Sequence, residues 1–421
     1  MAPVLMVQGI AGLVVFIGIA WLLSEDRWRM PWRAVAAGLG LQFGLAALLL
    51  WVPGGRHLFL WANELVIALS QATRAGTAFV FGYLGGAELP FEAEGAGQAF
   101  VFAFQALPLI LVMSALSALL FHWRVLPLII RGASRVLERS FGIGGALGVG
   151  TAANVFLGMV ESPLLVRPYL ARMTRSELFA LMTVGMATLA GTMLVLYATF
   201  IGHVLDDALG HLIIASVISL PAALLIAAVM VPATGPATQG ALDEGLDPAA
   251  GTMDAITRGT LRGLELLLQI VALLVVLIAL VALANGLLGL LPAVGGADLS
   301  LERLLGWIMA PLAWLMGIPW AEAQVAGTLL GVKTVLNEML AFLQLAQLDP
   351  QVLSPRSELI LIYALSGFAN LGSLGILIGG LGAMVPERRG EVVALGMRAL
   401  VAGTLATLMT GAVVGLLTPL G

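Results

Sequence analysis

The sequence predicts an all-α polytopic membrane protein, and three observations predict it. The 421-residue chain is 60% hydrophobic and only 10% charged, whereas a soluble globular protein carries about 25% charged residues. Its apolar residues fall in runs of the length that crosses a bilayer as helix, about 20 residues. Isolated carboxylates, Glu161 and Glu338, stand inside two of the apolar stretches. An ionisable group at membrane depth is a functional-site hypothesis by default.

Spans are expected at 3–23, 34–52, 99–121, 177–202, 211–231, 262–290, 357–384 and 391–418. The run from Pro3 to Leu23 has no basic segment ahead of it, so it reads as a retained span. Arg27, Arg29 and Arg33 follow that span, and Lys/Arg bias marks cytoplasmic loops. The N-terminus is therefore expected outside. Residues 54–76 mix apolar and polar positions and suit an interfacial helix. The third span returns to Arg124, Arg131, Arg135 and Arg139 on the inside.

Residues 140–166 decide the architecture. They are apolar, yet Arg139 stands on one side and Arg167, Arg172 and Arg175 on the other. As helix they reach about 40 Å, too short for two crossings of a ~30 Å core. A re-entrant hairpin satisfies both facts, with its tip near Gly158–Pro163. Such a tip is tolerated only where it is buried in protein or lines a cavity. The span 177–202 then runs out to Asp206 and Asp207, and 211–231 returns.

Residues 232–262 form a polar, Gly/Pro-rich linker between halves. The basic stretch at Pro386–Arg389 is placed inside, so 357–384 runs inward. Residues 292–356 then begin and end outside, with a short interfacial helix at 301–318 and a second hairpin at 321–350. Two real spans within 301–350 also fit the charges. The domain reading is 1–98 for N-terminal spans and interfacial helix as scaffold, 99–231 for the first half, 232–262 for the linker, and 263–421 for the second half. Both termini are expected outside the plasma membrane. Two hairpins entering from opposite faces, each followed by a broken span, form the inverted repeat of secondary transporters.

Broken helices present free backbone groups at mid-membrane. The polar inventory around the first is Asn154, Glu161, Thr183, Thr188 and Thr192; around the second it is Asn337, Glu338, Ser366, Asn370 and Ser373. Thr183 and Ser366 also fit a role as interhelical glue. Lys333 is positioned to pair with a carboxylate. The second set suits a neutral polyhydroxyl ligand, whose hydroxyls donate to a carboxylate and accept from an amide.

Other chemistries find little support. There is no cysteine, and His57, His122, His203 and His211 show no ligand spacing. No nucleophile–base pair or soluble output domain is evident, so an enzyme or receptor is disfavoured. Glycines in SFGIGGALGVGTA at 140–152 fit close helix packing rather than a nucleotide loop. Trp28, Trp32, Trp51, Trp61 and Trp123 near span ends fit an interfacial belt. No basic stripe points to nucleic acid.

Three long motifs carry a resemblance: FLGMVESPLLVRPYLARMTRSELFALMTVGMATLAGT, GIPWAEAQVAGTLLGVKTVLNEMLAFLQL and SPRSELILIYALSGFANLGSLGILIGGLGAMVP. Together with FVFAFQALPLI at 101–111, they resemble the concentrative nucleoside transporters over about 99–403. Residues 1–98 match mainly in hydropathy. The resemblance implies a homotrimer with a scaffold and a moving transport domain. It places Glu338, Asn370 and Ser373 on the family's ribose-binding positions, with Asn337 beside them and Phe368 lining the pocket. Glu161 falls on the hairpin-tip glutamate near the base. Asn154, Thr188 and the backbone carbonyl of Leu157 fall on sodium-ligating positions.

The sequence departs from the family at Met159 and Val160, where the tip usually carries a Gln-Thr pair that reads the base. Gln269 stands where relatives often carry Asn. The expectation is a sodium-coupled nucleoside importer with altered base selectivity and no cofactor. Proton coupling, and transport of a modified nucleoside or other ribosyl compound, are the rivals.

Overall fold

The computed structural model describes residues 2–51, 53–90, 100–205, 207–240, 249–294, 296 and 298–418. Asp206 and linker residues 241–248 lie outside the described residues. The described chain is all-helical, as the composition requires. α1 (Ala2–Leu22) and α2 (Trp32–Trp51) are the first two spans, and α3 (Pro53–Phe81) continues the segment read as interfacial. The third span is interrupted before Leu109, giving α4 (Phe102–Gln105) and α5 (Leu109–His122). Ala106, Leu107 and Pro108 occupy the interruption, and Pro108 is the N-cap of α5.

α6 (Val125–Phe141) is a helix that the charge count alone does not disclose. Its Leu126, Ile130, Ser134 and Leu137 are buried on one face. That spacing of four, four and three is an amphipathic period, and its arginines cover the other face.

The two hairpins are present. The first comprises α7 (Gly145–Leu157), α8 (Glu161–Leu164) and α9 (Arg167–Leu170); the broken span behind it is α10 (Arg175–Ala187) and α11 (Gly191–Ile201). Thr174 and Glu177 form a capping box that starts α10. Glu177 also accepts from the Thr238 backbone N–H at 2.7 Å, tying the linker to the base of the hairpin. α12 (Ala208–Met230) closes the half.

α13 (Thr252–Leu288) starts inside the segment read as linker. The polar residues there, Asp254 and Arg258, form an i,i+4 ion pair that suits a helix. α14 (Leu301–Leu315) is the expected short helix, and one face packs along α15 (Trp320–Val335). α15 and α16 (Glu338–Ala346) make the second hairpin rather than two spans. α17 (Pro355–Leu365) and α18 (Leu371–Met384) make the second broken span, and α19 (Arg389–Leu417) ends the fold.

Contacts at the two ends place the hairpins oppositely. At one end Arg388 donates to the carbonyls of Leu170 and Met173 at 2.7 and 2.6 Å, and Arg175 reaches Glu25 at 2.8 Å. Arg398 also pairs with Glu25. The Arg175 hydrogen bond leads in holding the Glu25 carboxyl below the usual carboxylate range, against the opposing effect of burial. At the other end Arg356 donates to Gly317 and Gly415 carbonyls at 2.6 Å each, and His203 lies 2.8 Å from the Ala346 carbonyl. The first hairpin thus starts and ends at the arginine-rich end, and the second at the other.

Packing divides the helices. α1 and α2 pack on α12 and α19, which carry the broken spans, whereas α13 packs along α5. α1 approaches α14 so closely that a Cβ on Gly12 would meet the Leu315 carbonyl, while one on Gly18 would meet nothing within 4 Å among the described residues. Overpacking of this kind costs about 1–3 kcal/mol. Gly12→Ala is expected to lower the melting temperature of detergent-solubilised protein by several degrees, about what such a cost implies, while Gly18→Ala leaves it unchanged.

Candidate functional site

Each broken helix has to satisfy its end groups without bulk water, and the second repeat does so with two asparagines. Asn337 starts α16: its side-chain oxygen accepts from the Leu340 N–H at 2.9 Å. Asn370 starts α18 in the same way, accepting from the Ser373 N–H at 2.7 Å. Capping uses only the oxygen of each amide, so the nitrogen stays available. Asn370 Nδ2 donates to Glu338 Oε2 at 2.8 Å. The other carboxylate oxygen accepts from the Tyr197 hydroxyl at 2.6 Å, the short separation of a charge-assisted bond. Glu338 is only 4% exposed.

Tyr197 comes from α11, in the other repeat. Its ring packs on Phe342 with centroids 5.2 Å apart. The carboxylate therefore ties the two repeats together. A carboxylate offers about four lone-pair sites, and two are used. The remaining acceptor capacity is available to a ligand.

The first hairpin contributes the opposite wall. Gly158 turns the chain at φ 92°, a conformation L side chains rarely adopt. A Cβ there would also sit 2.9 Å from the Ala190 Cβ. Beyond it, Met159 packs over Gly185 and Val160 over Gly380. Glu161 opens α8 with its carboxylate exposed to a cavity and makes no ion pair among the described residues.

That cavity, of about 760 Å³, joins the two hairpin tips. Glu338, Asn337, Asn370, Ser373, Phe368, Glu161, Met159 and Val160 all line it. A second chamber of about 350 Å³ shares Leu157, Glu161, Thr192 and Arg262 with it and extends to His122, Arg124 and Arg258 at the arginine-rich end. Glu161 stands where the two chambers meet.

Asn154 and Thr188 lie behind the first tip, both buried. Asn154 Nδ2 donates to the Val184 carbonyl at 3.1 Å and to the Thr188 hydroxyl; Asn154 Oδ1 accepts from Ser162 at 2.9 Å. Amide orientation is assigned from such networks. Turned over, the amide would set its oxygen beside those of Val184 and Thr188. Leu157 ends α7, so its carbonyl has no partner within that helix. With the amide turned, the oxygens of Asn154, Val184 and Thr188 would fit a hard cation such as sodium.

Some expectations are corrected. Lys333 forms no ion pair among the described residues. Its ammonium donates to the Ala364 carbonyl at 2.7 Å and the Thr407 hydroxyl at 2.9 Å. It points from α15 toward the end of α17, whereas Glu338 faces the cavity. Ser366 bonds its own helix at the Ile362 carbonyl, and the buried Thr183 hydroxyl has no hydrogen-bond partner among the described residues, so neither acts as interhelical glue there. Tyr197 is not evident from the sequence. Its one signal is a hydroxyl in the otherwise apolar MLVLY of α11.

Comparisons with known proteins agree with this fold. The family described as Na+ dependent nucleoside transporter matches at its N-terminal part over residues 11–84 and at its C-terminal part over 211–415; a nucleoside recognition family matches 103–204. An uncharacterised transporter of Haemophilus influenzae is 38% identical, covering 98% of both chains. The nucleoside permease NupC of Helicobacter pylori is 35% identical over 97% of this chain and 96% of its own. The structure of CNTnw in an inward-facing, substrate-bound state superposes with a TM-score of 0.89 at 39% identity, covering 98% of this chain and 97% of that one. With two oppositely entering hairpins around one polar cavity and relatives matched along nearly its whole length, the chain belongs to the concentrative nucleoside transporter family.

Proposed function

We propose that this multi-pass transporter imports nucleosides by alternating access, coupled to sodium. The observation that carries the reading is the Glu338 carboxylate, held by Tyr197 and Asn370 at the wall of the shared cavity. Ribose hydroxyls donate to its remaining lone pairs and accept from the second N–H of Asn370. Ser373 supplies a further hydroxyl, and Phe368 an apolar wall. Glu161, Met159 and Val160 bound the base end. Asn154, Thr188 and the Leu157 carbonyl hold the sodium ion, and the Na+ dependent family description supports that choice.

The fixed body is α5 with α13, which pair with each other; α1 and α2, expected from the sequence to belong to the scaffold, instead gather with the remaining spans on the broken helices. The hairpins and broken spans move against it, delivering the site to the chamber at the arginine-rich end. That end is cytoplasmic, by the positive-inside rule, and both termini lie outside. Leu268, Val275 and Leu283 leave an apolar face exposed on α13, which supports the homotrimer implied by family resemblance. The apolar tip also favours a second reading, in which the cargo is a modified nucleoside or another ribosyl compound.

Uptake into proteoliposomes tests the transport reading. Uridine and adenosine are expected to accumulate under an inward sodium gradient, with Glu338→Gln losing about tenfold or more, the scale of a hydrogen bond to a charged group. No uptake of either, with Glu338→Gln indistinguishable from wild type, contradicts it. Accumulation driven by a proton gradient alone keeps the nucleoside and removes the sodium. Asn154→Ala is expected to raise the sodium concentration needed for half-maximal uptake.

Tyr197→Phe isolates one hydroxyl without altering the ring packing. It is expected to weaken riboside binding, measured by calorimetry, by about tenfold. Its melting temperature in the absence of ligand is the control for a purely structural role.

A further inference from the structure

The first hairpin tip presents an apolar pair to the cavity, and the polar groups facing it come from another helix. Met159 and Val160 have apolar side chains packed over Gly185 and Gly380. At the ribose end, Asn337 and Asn370 spend their oxygens as helix caps, and Tyr197 spends its hydroxyl on Glu338. Across the cavity, α13 contributes Arg262, Glu265 and Gln269. Their spacing of three and four puts them on one face of that helix. The next turns of α13 are apolar. A polar side chain in a membrane helix is expected to face a cavity or a partner, and these line the cavity.

We propose that Gln269, oriented by Glu265, reads the nucleobase and selects bases that carry an exocyclic amino group. The inference rests on the nucleoside reading above. Gln269 Nε2 donates to Glu265 Oε1 at 3.4 Å. A carboxylate only accepts, so it holds the amide with nitrogen toward itself. The amide keeps one N–H and its carbonyl oxygen for a ligand. That donor beside an acceptor matches an amino group beside a ring nitrogen, the pairing Gln makes with adenine N6 and N7. Cytosine presents the same pair at N4 and N3. Glu161 offers a further acceptor at this end. An oxo group in place of the amino group puts an acceptor where the Gln269 oxygen needs a donor: uracil presents O4 beside N3–H, and hypoxanthine presents O6 beside N7. With the ribose fixed at the other end, the Gln269 amide would have to turn over to meet it, and its oxygen would then face Glu265.

Two ligand pairs that differ only by amino against oxo test this: adenosine with inosine, and cytidine with uridine. Calorimetric titration of the full-length protein in detergent is expected to favour the amino member of each pair about tenfold, the scale of one or two neutral hydrogen bonds. Gln269→Met, similar in length but apolar, is expected to bring both ratios close to one. Glu265→Ala frees the amide and is expected to reduce both ratios, giving a second test should Gln269→Met fail to fold. Ratios near one in the wild type, or unchanged in Gln269→Met, overturn the proposal while leaving nucleoside transport intact. Failure of all four ligands to bind overturns the nucleoside reading and this inference with it.

Discussion

The structure turns on one buried carboxylate. Removing a charge from water is costly unless it is paired or hydrogen-bonded, and Glu338 has no cation in direct contact among the described residues. Its compensation is a phenol and an amide, Tyr197 and Asn370, and each lies on the second half of a broken span. The two breaks also touch: the Phe368 N–H donates to the Thr188 carbonyl at 3.3 Å. Satisfying Glu338 therefore requires both repeats to be folded and docked. The shared cavity and the junction of the repeats are the same place.

The same economy appears in the caps. Asn337 and Asn370 restart helices at membrane depth, where lipid offers no hydrogen bonds. One end of each amide serves the backbone. In Asn370 the other end serves the carboxylate. Lys333 plays a comparable part behind the site, where its ammonium meets a carbonyl near the end of α17. Helix C-termini carry partial negative charge, so a cation suits that position without a carboxylate beside it. The opposite repeat puts Asn154 against Val184 and Thr188 at the matching break. On the proposed reading, sodium serves there.

Much of this is legible in the sequence for physical reasons. Glu161 and Glu338 stand out because membrane segments tolerate few charges. The basic flanks of 140–166, with its length, leave room only for a hairpin. Asn337 and Asn370 show themselves as polar residues opening apolar helices. What stays hidden depends on contacts between distant residues. Tyr197 lies 141 positions from Glu338, and Thr407 lies 74 from Lys333. No local pattern links such pairs. α6 is obscured because its arginines dominate the segment and mask its apolar period. The start of α13 is obscured because Gly and Pro nearby make its polar first turns resemble the linker.

The central claim is that Glu338, fixed by Tyr197 and Asn370, holds the hydroxyls of a ribose. Calorimetric titration with uridine and with 2′,3′-dideoxyuridine tests it most directly, since the base and the rest of the ligand stay the same. The account predicts that removing both hydroxyls weakens binding by at least about tenfold, as expected when a carboxylate loses its hydrogen-bond donors, and that this difference disappears in Glu338→Gln. Equal affinity for the two ligands in the wild-type protein would contradict it.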